Sequence, residues 1–185
     1  MCDRVGVAYP PKRIVLVGLK HERLLEVWVA GEGGAFRHLE TIPILGASGH
    51  PGPKLAEGDR QVPEGIYGIE SLNPNSRHHL ALRVGYPNEF DKARARQEGR
   101  ENLGGDIMIH GGSTSVGCLA IGDQAAEDLF ILAALAGIEN VALIVSPVDF
   151  RKREIPVELP ETPEWVAGLY DQIRAELGKM KGGGE

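Results

Sequence analysis

Apolar positions along the chain fall in short runs divided by glycine, proline and polar residues, and the spacing within each run predicts an element. Residues 13–17 and 24–29 are rich in Val, Leu and Ile and are joined by a polar turn at 20–23, which predicts an opening β-hairpin. Residues 36–44 read as a third strand. The stretch 46–59 is punctuated by glycines and prolines and ends in Gly58-Asp59, so it is expected to be a loop. Val62-Pro63-Glu64-Gly65 presets a turn that feeds a short alternating strand at 66–70. The turn-rich Asn73-Pro74-Asn75-Ser76 precedes another strand at 79–84, and a brief apolar run at 107–109 reads as a strand delivering His110 into a glycine-rich loop. Residues 124–136 are apolar on most faces and stop at Gly137, which predicts a buried helix capped by Asp123. A continuous apolar run at 141–145 has strand length. Thr162-Pro163-Glu164 carries the signature of a helix start, with Thr as cap, Pro in the first helical position and an acid in the first turn. Trp165, Val166, Leu169, Tyr170, Ile173 and Leu177 follow at helical spacing and are expected to dock on the body as packing, while residues 182–185 are expected to fray.

These elements predict a mainly β fold with a few helices, of α+β class, around one core. A chain of 185 residues, 42% hydrophobic, is long enough for a single well-buried domain. Its 25 glycines and 12 prolines suit turn-rich sheets better than a helical bundle. The formal net charge of -6 and pI near 5.6 argue against nucleic acid, whose recognition needs a clustered basic footprint. No run approaches the roughly 20 apolar residues of a membrane span. Residues 1–11 also lack the apolar core of a secretory signal, so the chain reads as cytoplasmic as written or as lacking its leader. Two cysteines, Cys2 and Cys118, give neither a disulfide framework nor zinc-ligand spacing, and a bridge between them would silence Cys118.

Residues 86–105 form a polar stretch with Lys92, Arg94, Arg96 and Arg100 among Asp91, Glu98 and Glu101. Mixed-sign runs usually face water, so a short solvated helix and loop is expected; the other reading is a wall presenting cations to an anionic substrate. Gly52-Pro53-Lys54 is no phosphate loop, because Pro53 breaks the pattern and no Ser or Thr follows the lysine.

The chemistry concentrates at residues 106–123. His110 leaves a short strand, and Gly111, Gly112 and Gly117 let the backbone turn Cys118 back towards it. A thiol becomes a nucleophile beside an imidazole, and the amides of Gly117 and Cys118 are candidates for stabilising an oxyanion, so attack on an amide carbonyl is one reading. The other is a small buried core cysteine beside a histidine making local hydrogen bonds. His21, His38, His50, His78 and His79 make no metal-ligand spacing with the cysteines, and adjacent His78 and His79 would point to opposite faces of a strand; no metal site is expected.

The order of several motifs carries more than the His-Cys pair. His110-Gly111 with Ser115-Val116-Gly117-Cys118, Lys54 with Gly58-Asp59, Pro63-Glu64-Gly65-Ile66-Tyr67, Tyr86-Pro87-Asn88, and Gly105 before Ile107 follow one another over roughly residues 13–147. Together they resemble the L,D-transpeptidase catalytic domain, the YkuD-type family of bacterial cell-wall enzymes, and its YafK-like branch, with Val62 where the family has Thr. The resemblance implies an L,D-transpeptidase-like β-sandwich or barrel over 13–147, flanked by an N-terminal tail at 1–12 and a C-terminal extension at 148–181 whose helix packs on the domain. It implies Cys118 as nucleophile, His110 as general base and the Gly111 carbonyl as the group that orients the imidazole. Substrates of such enzymes are peptidoglycan peptide stems, attacked at the carbonyl of the diamino acid in position three with loss of D-alanine, and no metal or organic cofactor is needed. Ser115 and Tyr86, within the matched motifs, are expected at the substrate, and Arg83, Arg94 or Arg96 could pair with a stem carboxylate.

Two departures bear on the acceptor. Val116 and Ala120 stand where many members have a histidine and an arginine, and the His-to-Cys loop is short, as in the YafK-like branch. Branches with this motif include hydrolases that detach a lipoprotein from peptidoglycan, so transfer and hydrolysis both stay open, as does a non-catalytic peptidoglycan-binding module. A structural or interaction protein with an inert, buried thiol is the remaining alternative. The family also implies a periplasmic or cell-envelope location; Cys2 directly after Met1 would suit a chain begun at the lipidated cysteine of a lipoprotein.

Overall fold

The computed structural model describes residues 2–155 and 162–180. Eight strands form one sheet: β1 (Arg13–Leu19), β2 (Leu24–Ala30), β3 (Arg37–Pro43), β4 (Gly65–Ser76), β5 (His79–Val84), β6 (Met108–His110), β7 (Leu119–Ala120) and β8 (Val141–Ser146). Their order across the sheet is β3-β2-β1-β8-β4-β5-β6-β7. The pairings β1·β8 and β6·β7 are parallel and the others antiparallel. Three α-helices join them, α1 (Glu89–Gln97), α2 (Asp123–Ala136) and α3 (Trp165–Leu177). No helix among the described residues is long and apolar enough to cross a membrane.

The central strands are apolar at nearly every position because both faces are covered. On one face Ile14, Leu16, Val27, Leu143 and Val145 pack with Leu129 and Leu132 of α2. On the other Val15, Val17, Trp28 and Ile144 pack with Val166, Leu169, Ile173 and Leu177 of α3. Alternate residues of β1 therefore enter opposite cores, as the two-residue period of a strand requires.

The sheet curls until its two edges meet. Just beyond β3, Gly46 pairs with Ala120 of β7 in an isolated antiparallel bridge: Ala120 N donates to Gly46 O at 2.8 Å, and Leu45 N donates to Ala120 O at 2.8 Å. This closure gives the expected sandwich or barrel its barrel-like form and fixes the strand that follows Cys118.

Several expectations shift in detail. Asn73 to Ser76 belong to β4, and the chain reverses at Arg77 and His78; the register shifts between Asn73 and Ser76, and such an irregularity tolerates a proline within a strand. Asp123 is the first residue of α2 and not its cap, because its carboxylate serves the neighbouring loop. That helix is buried on one side only, with Ile131 and Leu135 half exposed. Thr162 does not cap α3, which starts at Trp165 behind Glu164 without a side-chain cap. The expected N-terminal tail is packed, with Cys2 and Val7 in the core. Cys2 and Cys118 are both free thiols, Cys2 fully buried and Cys118 partly so. The proline-punctuated connection over 156–161 and the tail expected at 182–185 lie outside the described residues.

Candidate active site

His110 ends β6 and Cys118 immediately precedes β7. The parallel register pairs Ile109 with Leu119 and His110 with Ala120, so its continuation sets Cys118 opposite Met108. Met108 and His110 share one face of their strand. Cys118 thus shares that face with His110, on the diagonal, while Ile109 and Leu119 point into the core.

Two glycines make this arrangement possible. A side chain on Gly111 would meet Asp123 Oδ1 at 2.5 Å and the His78 carbonyl at 2.9 Å, so only glycine fits between the β4–β5 turn and α2. Gly117 takes φ +83, a left-handed conformation that turns the chain into Cys118 without side-chain strain. The loop is held from both ends: Asp123 Oδ1 accepts from Gly112 N at 2.7 Å, and Ile121 N donates to His110 O at 2.9 Å.

The His110 ring is buried and stacked on the more exposed ring of His78, with centroids 4.6 Å apart. Its Nδ1 lies 2.6 Å from the Gly111 carbonyl. A carbonyl only accepts, so Nδ1 carries the proton and Nε2 keeps its lone pair. Burial moves the imidazole pKa below its ordinary value; the Gly111 carbonyl opposes this and His78 adds to it. Burial likewise raises the Cys118 thiol, against the Met108 N–H that favours the thiolate. Both shifts favour the uncharged forms, a neutral imidazole and a protonated thiol. The thiol accepts from Met108 N at 3.3 Å and donates to the Asp106 carbonyl at 3.5 Å.

The amides named from the sequence as oxyanion donors already have partners. Gly117 N donates to Ser48 Oγ at 2.8 Å and Cys118 N to Ser115 Oγ at 3.0 Å. An oxyanion would have to displace those hydroxyls, and in this state Ser115 holds the backbone of Cys118.

His110, Ser115 and Cys118 line one cleft of about 690 Å³, with Asn73, Asn75, Ser76, Arg77, His78, Asp106, Met108, Thr114 and Val116. The other expected substrate contacts are elsewhere. Tyr86 is buried with its hydroxyl donating to the Leu103 carbonyl at 3.2 Å, which makes it part of the scaffold. Arg94 and Arg96 lie on α1, outside the cleft; Arg94 stacks on Phe90, which meets Trp165 at the start of α3, so the stretch 86–105 is a packed helix and loop rather than a wall of cations at the thiol. Arg83 is bound to Glu70 at 2.9 Å and to Asp106 at 2.7 Å, so it braces the residue whose carbonyl accepts the thiol's hydrogen bond. The cleft residues that sequence reasoning missed, Arg77 and His78 above all, come from the β4–β5 reversal; only their adjacency to a turn signal could have flagged them.

Val116, on the cleft rim, is 70% exposed, whereas Ala120 is fully buried in the edge-closing bridge. A larger cleft, about 1100 Å³, lies around Trp28, Phe150 and Arg151. It contains no cysteine, and its Arg151 and Arg174 are paired with Glu26, Asp149, Glu154 and Asp171. Among the described residues no group of three or more His, Cys, Asp or Glu side chains is arranged to hold a metal ion.

A family model for the YkuD L,D-transpeptidase catalytic domain matches residues 12–147. The Escherichia coli (strain K12) protein YafK, named as a candidate L,D-transpeptidase, is 35% identical over 113 residues, 60% of this chain and 43% of that protein. The chain thus spans less than half the length of this relative. Among solved structures, the helical cell shape determining protein Pgp2 from Campylobacter jejuni superposes with a TM-score of 0.59 at 21% identity, covering 85% of this chain and 56% of that one. Bd1075 from Bdellovibrio bacteriovorus gives 0.54 at 19% identity, covering 95% and 59%. At these identities the likeness to both structures is one of fold.

Proposed function

Since the chain belongs to the L,D-transpeptidase catalytic domain family, we propose that it carries out cysteine-dependent acyl transfer on peptidoglycan stem peptides, with Cys118 as nucleophile and His110 as general base. The observation that carries the reading is the 2.6 Å contact of His110 Nδ1 with the Gly111 carbonyl, which leaves Nε2 basic on the sheet face it shares with Cys118. Nε2 takes the thiol proton as Sγ attacks the amide carbonyl of the diamino acid in position three. The oxyanion is met by the amides of Gly117 and Cys118 once the Ser48 and Ser115 hydroxyls give way. As the C–N bond breaks, the imidazolium returns its proton to the departing D-alanine amine, and a thioester remains on Cys118. An acceptor amine, or water, then gives its proton to Nε2 as it attacks, and the thiol is regenerated. No metal or organic cofactor takes part in this scheme. The family's substrate implies action in the periplasm or cell envelope, and an envelope lipoprotein attached to peptidoglycan is a candidate partner if the acceptor is water.

One observation favours a second reading. The thiol's hydrogen-bond partners are Met108 and Asp106, and catalysis needs Sγ to leave them for His110. A module that binds stem peptides without turning them over would keep that resting arrangement. Mass spectrometry of muropeptides incubated with the protein separates the cases. A cross-linked dimer means transfer, and loss of D-alanine or release of a linked lysine means hydrolysis. An unchanged profile, with the peptides still retained by the protein, means binding alone.

A further inference from the structure

The acylation reading leaves open what the cleft selects, and the β4–β5 reversal supplies a candidate. We propose that Arg77 is the carboxylate-binding residue of this cleft and that it selects peptides in which the diamino acid under attack carries a free side-chain carboxylate. The proposal rests on the reading of Cys118 as the residue acylated by a peptide.

Arg77 lines the same cleft as His110 and Cys118. The other charged residues there are differently committed. Asp106, the acid of the lining, is held by Arg83 at 2.7 Å, and the His78 ring lies against His110. Among the described residues no carboxylate is within ion-pair distance of Arg77, whereas Arg83, Arg100, Arg151 and Arg174 are each paired with an acid. The backbone that carries it is fixed: Asn73 Oδ1 accepts from Asn75 N at 2.9 Å and Ser76 Oγ accepts from His78 N at 3.0 Å. The turn is thus ordered by its own side chains while the guanidinium is left to a ligand. In a chain of net charge -6, an uncompensated cation in this cleft opposes the general repulsion of an acidic peptide. A planar guanidinium also matches a carboxylate with two parallel hydrogen bonds, which an ammonium cannot do. Arg77 thereby takes the role that sequence reasoning sought in Arg83, Arg94 and Arg96.

The test uses Cys118→Ala protein, which binds without turnover, and calorimetric titration with two stem tetrapeptides that differ only in whether the side-chain carboxylate of the diamino acid is free or amidated. The free acid should bind about tenfold more tightly, the scale of one charge-assisted hydrogen bond. Arg77→Gln should bring the two peptides to near-equal affinity, and Arg77→Lys should restore part of the difference. Equal affinities with Arg77 present, or a preference that survives Arg77→Gln, would overturn the assignment. Turnover of the same peptides by protein with Cys118 intact reads the acylation proposal separately. Turnover without discrimination removes Arg77 alone, and discrimination in binding without turnover removes acylation alone.

Discussion

His110 is fixed through one ring nitrogen and available through the other, and that asymmetry sets the expected pH behaviour. The base works only when neutral, so a histidine whose pKa is depressed by burial stays competent below the ordinary value of about 6.5. Acylation of Cys118 should therefore hold its rate as pH falls through that value and decline only on further acidification. In the absence of substrate, alkylation of Cys118 by iodoacetamide should keep rising above about pH 9, because burial raises the thiol. An alkylation plateau reaching down to pH 5 would instead reveal a thiolate-imidazolium pair and contradict the neutral one. At this scale the sequence was readable where residues are neighbours: the turn from His110 to Cys118 and its glycines form one continuous segment. Ser48, Arg77 and His78 were not readable, since closure of the barrel and the β4–β5 reversal bring them to the thiol from distant positions. Tyr86 is buried, Arg83 is already paired, and Arg94 and Arg96 lie outside the cleft, placements that residue type does not reveal.

The elements around the site are tied by a buried polar cluster that the motif Pro63-Glu64-Gly65-Ile66-Tyr67 encodes. Glu64, just before β4, accepts from Lys20 at 2.9 Å, from Gly52 N at 2.8 Å and from the Tyr170 hydroxyl of α3 at 2.7 Å. Lys20 also donates to the carbonyls of Gly52 and Val62, so the β1–β2 turn, the loop before β4 and α3 share one carboxylate. Burial lowers the Lys20 pKa and Glu64 opposes this, so the ammonium depends on its partner. Glu64→Ala should cost about 3–5 kcal/mol by leaving that charge unpaired. Tyr170→Phe should cost about 2 kcal/mol, the loss of one hydrogen bond to a carboxylate. Chemical denaturation checks both, and a Tyr170→Phe midpoint equal to that of the unaltered chain would show that α3 is held by its apolar face alone. Strand positions were legible from apolar runs, as was the docking face of α3. Helix starts were less so, because a capping side chain can be taken by a competing donor, as Asp123 is by Gly112.

For the whole molecule, the β-rich class followed from short apolar runs between glycines and prolines, but the closure did not. One bridge between Gly46 and Ala120, far apart in the chain, turns an open sheet into a curled one, and no local pattern announces it. The chain's match to less than half of its YafK relative leaves the acceptor, the envelope location and any lipoprotein partner as proposals that the muropeptide products will test. The central claim is narrower, that Cys118 is an acylatable nucleophile served by His110. It is tested most directly by intact-mass spectrometry after incubation with a carbapenem, followed by fragmentation. The account predicts one covalent adduct, mapped to Cys118, absent from Cys118→Ala and slowed by at least about a hundredfold in His110→Ala. An unchanged mass after prolonged incubation, or an adduct on another residue, would contradict it.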